Sequence, residues 1–290
     1  MEVNCAGCAG CCLDWRPLDA DAADGERRGG RRALDDTYNL VPLTRDEVRD
    51  FCADGMGDAL VPRLWTAGTD DDAVRIDGVD VAAVDGRPVF AVGLRKALKP
   101  VAPFGTDPSW LRACVFLDPA TLRCRIHETE QYPRTCRTYP GHNLLLDAET
   151  ECERVEAAFG GDRLLDSSPP ADAPPPPFGP QALGATVFAH PDPDSLDGVV
   201  DRLRRGESTA ADRAAFVGVA VGSHPGSLDV DDERVRTWRE RALAAASWVG
   251  TALDAWDRVA GDPGTAATDV PVDEESLGAP ATVPWSRGND

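Results

Sequence analysis

The chain has 290 residues, enough for one sizeable core or two small ones, and 42% of them are hydrophobic. Fifty acidic against thirty basic side chains give a formal net charge of -20. A surface so acidic repels nucleic-acid phosphates and anionic lipid, so neither nucleic acid nor membrane is an expected partner. Its self-repulsion is screened by concentrated salt, which points to a halophilic source. Lysine is reduced to Lys96 and Lys99, and arginine supplies the remaining positive charge. No segment reads as a signal peptide or reaches the ~18 apolar residues of a membrane span. A soluble, cytoplasmic chain is therefore expected, whose nine cysteines stay reduced and act as metal ligands or catalytic groups before disulfides.

Residues 1–12 are irregular and cysteine-rich: Cys5-Ala6-Gly7-Cys8-Ala9-Gly10-Cys11-Cys12. Two intervening residues let successive thiolates turn onto one metal, and small spacers let backbone N–H groups point at sulfur. The C-x2-C-x2-C spacing also matches the opening of a ferredoxin cluster run. Adjacent side chains diverge, so Cys11 and Cys12 are expected to serve different metals, or only one of them to be a ligand. The polar stretch Asp19–Asp36, with Arg27-Arg28-Gly29-Gly30-Arg31-Arg32, reads as a loop. Thr44-Arg45-Asp46-Glu47 is a capping box that starts a helix running through Cys52 to Gly55. Val48, Phe51 and Cys52 share its buried face, which assigns Cys52 to the core.

Strand signals follow at Val74–Ile76, Val79–Val84 and Pro88–Leu94, separated by the turn dipeptides Asp77-Gly78 and Asp85-Gly86. A second hairpin is expected from Cys114–Leu117 and Leu122–His127, with its turn at Asp118-Pro119. A short helical turn fits between the prolines of Tyr132-Pro133 and Tyr139-Pro140, and Asn143–Leu146 reads as a strand. Prolines crowd residues 161–182, an extended linker. Beyond it the pattern is helical. One helix is capped near Asp194, another starts at Ser208-Thr209, and a long one spans Asp232–Ala260 with Trp238 and Trp256 on its packing face. Residues 261–290 show no period and read as a disordered tail. The expected fold is α+β. A small antiparallel meander and hairpin surround a cysteine–metal cluster (1–160), and the linker (161–182) leads to a mainly helical region (183–260) and the tail.

The second half of the constellation is Cys114, Cys124 and Cys136, with Cys152 behind them. Cys114 and Cys124 are placed on opposite strands of the proposed hairpin, and Cys136 on the proline-bounded turn. A segment as poor in apolar residues as 1–12 would dock there through shared metal, which would supply folding free energy. The predicted ligands are Cys5, Cys8, Cys11, Cys12, Cys114, Cys124, Cys136 and Cys152. His127 and His142 flank them as second-choice ligands or supporting groups.

These residues carry a resemblance. The N-terminal Cys-x2-Cys-x2-Cys-Cys run, Cys114-Val115-Phe116-Leu117, Cys124-Arg125-Ile126-His127 and Tyr132-Pro133-Arg134-Thr135-Cys136-Arg137-Thr138-Tyr139-Pro140 resemble the YkgJ-type cysteine-cluster family. So does Leu43-Thr44-Arg45-Asp46-Glu47-Val48, across residues 3–152 in all. The resemblance implies a domain that chelates zinc or iron. His127 stands where an aromatic is expected, and Tyr132-Pro133 replaces the usual arginine-proline.

Three functions remain open on the sequence. The first is a metal-binding protein whose zinc or iron is structural or simply held. The second is an iron–sulfur enzyme or electron-transfer module, with a protein-methylase-like activity as a weaker variant. The third is an interaction protein that docks through its C-terminal helix. Nucleotide-binding, zinc-protease and serine-hydrolase motifs are absent, and no catalytic residue is assigned.

Overall fold

The structure is a computed structural model that describes residues 1–19, 32–171, 179–262, 264–268 and 272–282. Most of the arginine patch, the proline run 174–177 and the last residues, 283–290, lie outside the described residues.

The chain opens with β1 (Glu2–Val3), and α1 (Arg45–Ala53) follows. The Thr44 hydroxyl accepts from Glu47 N, and Glu47 Oε2 accepts from Thr44 N at 2.8 Å, so the capping box forms as expected. After β2 (Leu60–Leu64) the meander consists of β3 (Ala73–Ile76), β4 (Val79–Val84) and β5 (Arg87–Leu94). Asp77, Gly78, Asp85 and Gly86 all have positive φ, the turn geometry whose twist suits a two-residue hairpin. β6 (Lys96–Val101) and β7 (Ser109–Cys114) make a longer hairpin, and β8 (Leu117–Asp118) with β9 (Arg123–Cys124) a short one. Then come α2 (Arg134–Thr138), α3 (Gly141–Leu145), α4 (Glu151–Phe159), β10 (Leu164–Asp166) and β11 (Phe188–Ala189). The chain continues with α5 (Val199–Arg205), α6 (Ala210–Gly222), α7 (Asp232–Leu243) and α8 (Trp248–Ala260).

The fold is α+β, and every pairing between these strands is antiparallel. β5 is the spine of the main sheet and pairs with β2, β4 and β11. Helix α6 lies on it. Phe216 meets Phe90 edge-on at 4.9 Å, with Phe188 behind at 5.5 Å from Phe90. Helix α7 rides close to α6 because position 218 is glycine: a Cβ there would sit 2.6 Å from the Val235 carbonyl oxygen.

Four local expectations change. The segment Asn143–Leu146 lies largely in α3, because a short apolar run does not distinguish strand from helix and Pro140 suits a helix start. Cys114 and Cys124 do not face each other across one hairpin. Cys114 pairs with Lys96, and Cys124 with Leu117. The long C-terminal helix is two helices: Ser247 caps α8, and Asp58 fixes the break by accepting from Ser247 N at 2.9 Å and Oγ at 2.7 Å. The described part of the tail packs on the body at Glu274. Glu274 is 1% exposed and bonded to the core.

The C-terminal helices and the cysteine region share one apolar core, which runs from Leu13 through Phe116 to Trp256. Trp248 packs on Phe116 and Trp256 on Trp110, so the tryptophans of α8 face inward. Among the described residues, no helix is long and apolar enough to cross a membrane.

Candidate metal centre

The eight cysteines predicted as ligands come from one loop and four elements: the N-terminal segment, the end of β7, β9, α2 and α4. The register explains how they gather. Leu13 bridges Ala113 antiparallel, and Cys114 N donates to the Cys12 carbonyl at 2.9 Å. Residues 12–14 thus run as a third strand along β7. Lys96 lies opposite Cys114 on β6, so Cys12, Cys114 and Lys96 form one cross-strand row, and neighbours in such a row share a face. The opposite face, Leu13, Ala113 and Ala97, is buried in the core. The residues flanking this strand seat on α4, with Cys8 before it and Trp15 after it packing on Val155. Only glycine fits at position 10, since a Cβ would come within 2.8 Å of Val155 Cγ2.

Two cavities lie between these elements. The smaller, about 260 Å³, is lined by Cys11, Cys12, Cys114, Cys124 and Cys136. The larger, about 500 Å³, is lined by Cys5, Cys8, Cys11, Cys12, Cys124, Cys136 and Cys152. They share Cys11, Cys12, Cys124, Cys136, Tyr132, Tyr139 and Glu151 as a common wall. All eight predicted residues border one cavity or both. Cys52 borders neither and is buried under α1 beside Val48 and Phe51. His127 lines the larger cavity; His142 lines neither, and its Nδ1 stands 3.3 Å from Thr138 Oγ1. The Cys11 and Cys12 sulfurs do not diverge: they are 3.9 Å apart.

Backbone N–H groups act on three of the sulfurs. Gly10 N donates to Cys8 Sγ at 3.5 Å, and the N–H groups of Phe116 near Cys114 and of Ile126 and His127 near Cys124 pull those thiols' pKa values down. Each favours a thiolate over a thiol. Burial acts the other way and dominates. It pushes Cys5, Cys124 and Cys152 from 9.0 up to about 12, with neighbouring thiols adding to the rise, and it raises Cys136 further. By themselves these groups are neutral at physiological pH, and only a cation among them would make thiolates.

Polar groups brace the wall. Glu151 is buried and accepts from Trp15 Nε1 at 2.9 Å and from Tyr38 Oη at 2.9 Å, while its own N–H donates to Tyr139 Oη. Burial raises the pKa of Tyr38, Tyr132 and Tyr139. Arg137 gathers the loop ahead of α2 by donating to the carbonyls of Tyr132, Thr129 and Glu130. Behind β7, Lys99 Nζ donates to the carbonyls of Val115 and Leu117 and pairs with Glu274 Oε1 at 2.6 Å. Glu274 also pairs with Arg125 and accepts from Trp256 Nε1 at 2.8 Å. The tail therefore clamps the strands that carry Cys114 and Cys124.

Three buried side-chain atoms of the described residues lack a hydrogen-bond partner: Asn39 Nδ2, Lys96 Nζ and Arg163 Nε. Asn39 lines the smaller cavity, Lys96 stands opposite Cys114 across β6 and β7 and feels the charge of Cys114, Cys12, Asp14 and Cys11, and the charge of Arg163 acts on Cys5 and Cys8. All three are donors at the cysteine site. Among the described residues, no three His, Cys, Asp or Glu side chains stand close enough together to hold a metal ion as they are. The thiols frame space rather than meeting at a point.

The chain belongs to DUF7531, a family of unknown function. The family's sequence profile matches residues 1–286, so both cysteine groups and Glu274 fall inside the match. No curated protein and no solved structure matches the chain. Residue-by-residue reading of this DUF7531 chain missed Lys96, Glu151 and Glu274 as parts of the site. The first had a signal in the composition, as one of only two lysines. Glu151 had its place next to Cys152. Glu274 had none.

Proposed function

We propose that this chain is a cysteine-cluster protein that binds zinc or iron through Cys5, Cys8, Cys11, Cys12, Cys114, Cys124, Cys136 and Cys152, as its resemblance to the YkgJ-type family implies. It would work in the cytoplasm, where these thiols stay reduced, under a surface acidity suited to concentrated salt. The observation that carries the proposal is the lining of the two adjoining cavities, which takes in these eight cysteines and leaves out Cys52. The donor set fits. Thiolates are the soft ligands that zinc and iron–sulfur centres take, and nearby N–H groups favour the thiolate at Cys8, Cys114 and Cys124. The bound metal would supply a cationic anchor for thiolates. The chain's part is to bring segment 1–12 onto β7, β9, α2 and α4, so that binding and folding are coupled.

An iron–sulfur enzyme or electron-transfer module is the second reading, and the spacing favours it. Eight thiols exceed the four that one zinc takes. Bridging sulfides also hold the thiolates of a cluster farther apart than a single ion does, in keeping with thiols that frame cavities.

Purification with and without oxygen, followed by metal analysis and an absorbance spectrum, separates the two readings. A colourless protein with stoichiometric zinc supports the first. Visible absorbance with iron and acid-labile sulfide supports the second. Cys8→Ser and Cys124→Ser should lower metal per chain in either case. A wild-type chain carrying neither metal, and taking up neither on reconstitution, ends both.

A further inference from the structure

We infer that Lys96 is the counter-charge of a net-anionic group held beside Cys12 and Cys114, an inference that rests on the metal reading above. The chain has two lysines, three residues apart on β6, and they behave oppositely. Lys99 is fully engaged, by Glu274 and by the carbonyls of Val115 and Leu117. It shows what a buried lysine of this fold does when its task is structural. Lys96 is half-buried as a residue, but its Nζ is itself shut away from solvent and has no hydrogen-bond partner.

The register places Lys96 in the row Cys12–Cys114–Lys96, so its ammonium shares a face with two thiols. The carboxylate in the next row, Asp14, acts on Lys96 through its charge but spends its hydrogen bonds elsewhere. It pairs in two-point fashion with Arg16, at 2.7 Å and 2.6 Å. A buried ammonium is tolerated only when a negative charge or a set of acceptors faces it, and neutral thiols are weak acceptors. The missing partner is therefore what the thiols hold. Four thiolates around a divalent core, whether one zinc ion or an iron–sulfur cluster, leave two negative charges and several sulfur acceptors.

The other two unpartnered atoms agree. Asn39 lines the smaller cavity, which Cys12 and Cys114 also line, and Arg163 Nε belongs to the cation whose charge acts on Cys5 and Cys8. All three are donors and none is an acceptor, the inventory needed around an anionic centre rather than around a bare cation. Lys96 is thus a positioning and charge-balancing residue, not a ligand.

The inference makes two demands of opposite sign. Lys96→Met should relieve the metal-free protein and weaken the loaded one. Wild type, Lys96→Met and Lys96→Arg are compared in high-salt buffer. The melting temperature of the metal-free form is measured first, and then the affinity for zinc alone and for ferrous iron with sulfide, each by competition with a chelator. The metal-free Lys96→Met protein should melt above metal-free wild type and bind about 10–100-fold more weakly, the usual cost of losing a partner just outside a metal's ligands. Lys96→Arg, which keeps the charge, should bind close to wild type. Unchanged affinity in Lys96→Met overturns the inference alone, and so does a Lys96→Met chain that melts lower or fails to fold. A wild-type chain that takes up neither probe overturns the metal reading and the inference with it.

Discussion

Two joins hold this chain together across long stretches of sequence, and they are made by opposite means. Helix α6 meets the main sheet through Phe90, Phe188 and Phe216, all fully buried, with His190 packed against Phe216 at 5.4 Å. The N-terminal segment meets β7, α2 and α4 through thiols that border cavities of about 260 and 500 Å³, with buried donors left unanswered. The first join is complete in its own atoms. The second pairs residues 12–14 with β7 and buries Leu13, but leaves thiol-lined space beside them. The contrast shows that a fold can be close-packed on one side and open on the other, with the openness marked by which buried polar atoms go unpaired.

Phe216→Ala should produce the largest effect. It should cost about 3–5 kcal/mol in denaturant unfolding, by the same amount with and without chelator. A cost that depends on chelator would break the contrast between the two joins. Glu274→Gln comes next, at about 3 kcal/mol, because Lys99 and Arg125 stay buried while losing their shared carboxylate. Arg125 keeps Asp118 at 3.4 Å, which limits the loss. That variant should also weaken metal binding, since the clamp backs the strands carrying Cys114 and Cys124, whereas Phe216→Ala should not.

The two joins should also fail at opposite ends of the pH scale. In the metal-free protein, burial holds Cys5, Cys124 and Cys152 at about 12 rather than 9.0. A folded-state pKa raised in this way contributes stability below pH 9 that is lost as pH climbs toward 12. His190 is held by burial below its ordinary 6.5, so its contribution is present above pH 6.5 and drains away as pH falls through the lowered value. Melting curves of metal-free protein from pH 4 to 11 should fall at both ends. His190→Gln should flatten the acid side only. With metal bound, protons compete for thiolate, and acid should release metal as well. The smallest effect belongs to Cys52→Val, about 1 kcal/mol with metal per chain unchanged. Loss of metal in that variant would move α1 into the site.

What could be read from the sequence was whatever is decided locally. The Asp-Gly dipeptides placed the meander, Thr44 and Glu47 placed α1, and Thr209 placed the start of α6. The eight cysteines that border the cavities were set apart from Cys52 because they fall in a cysteine run or on short elements, while Cys52 lies on an amphipathic face. What could not be read depends on pairing over distance. Nothing near Lys96 announces Cys12 and Cys114 as its row. The gap between α7 and α8 is invisible in Ala244-Ala245-Ala246-Ser247, since alanine favours helix and the break is enforced by Asp58 from far upstream. Glu274 sits in a stretch without period, and a single carboxylate reaching two buried cations leaves no pattern.

The pairing of residues 12–14 with β7 also sets a timetable. Ribosomes add about 5–20 residues per second, and Cys114 follows Cys12 by about a hundred residues. The first four thiols therefore exist for about 5–20 seconds before the strand that shelters them has been made. They wait longer for β10, which pairs with β1 at the very start of the chain. During that interval any oxidant or stray ion meets Cys5, Cys8, Cys11 and Cys12 alone. On the metal reading, assembly would begin from the N-terminal four and recruit the later four, and a nascent chain stalled before Cys114 would be the state most exposed to the wrong metal.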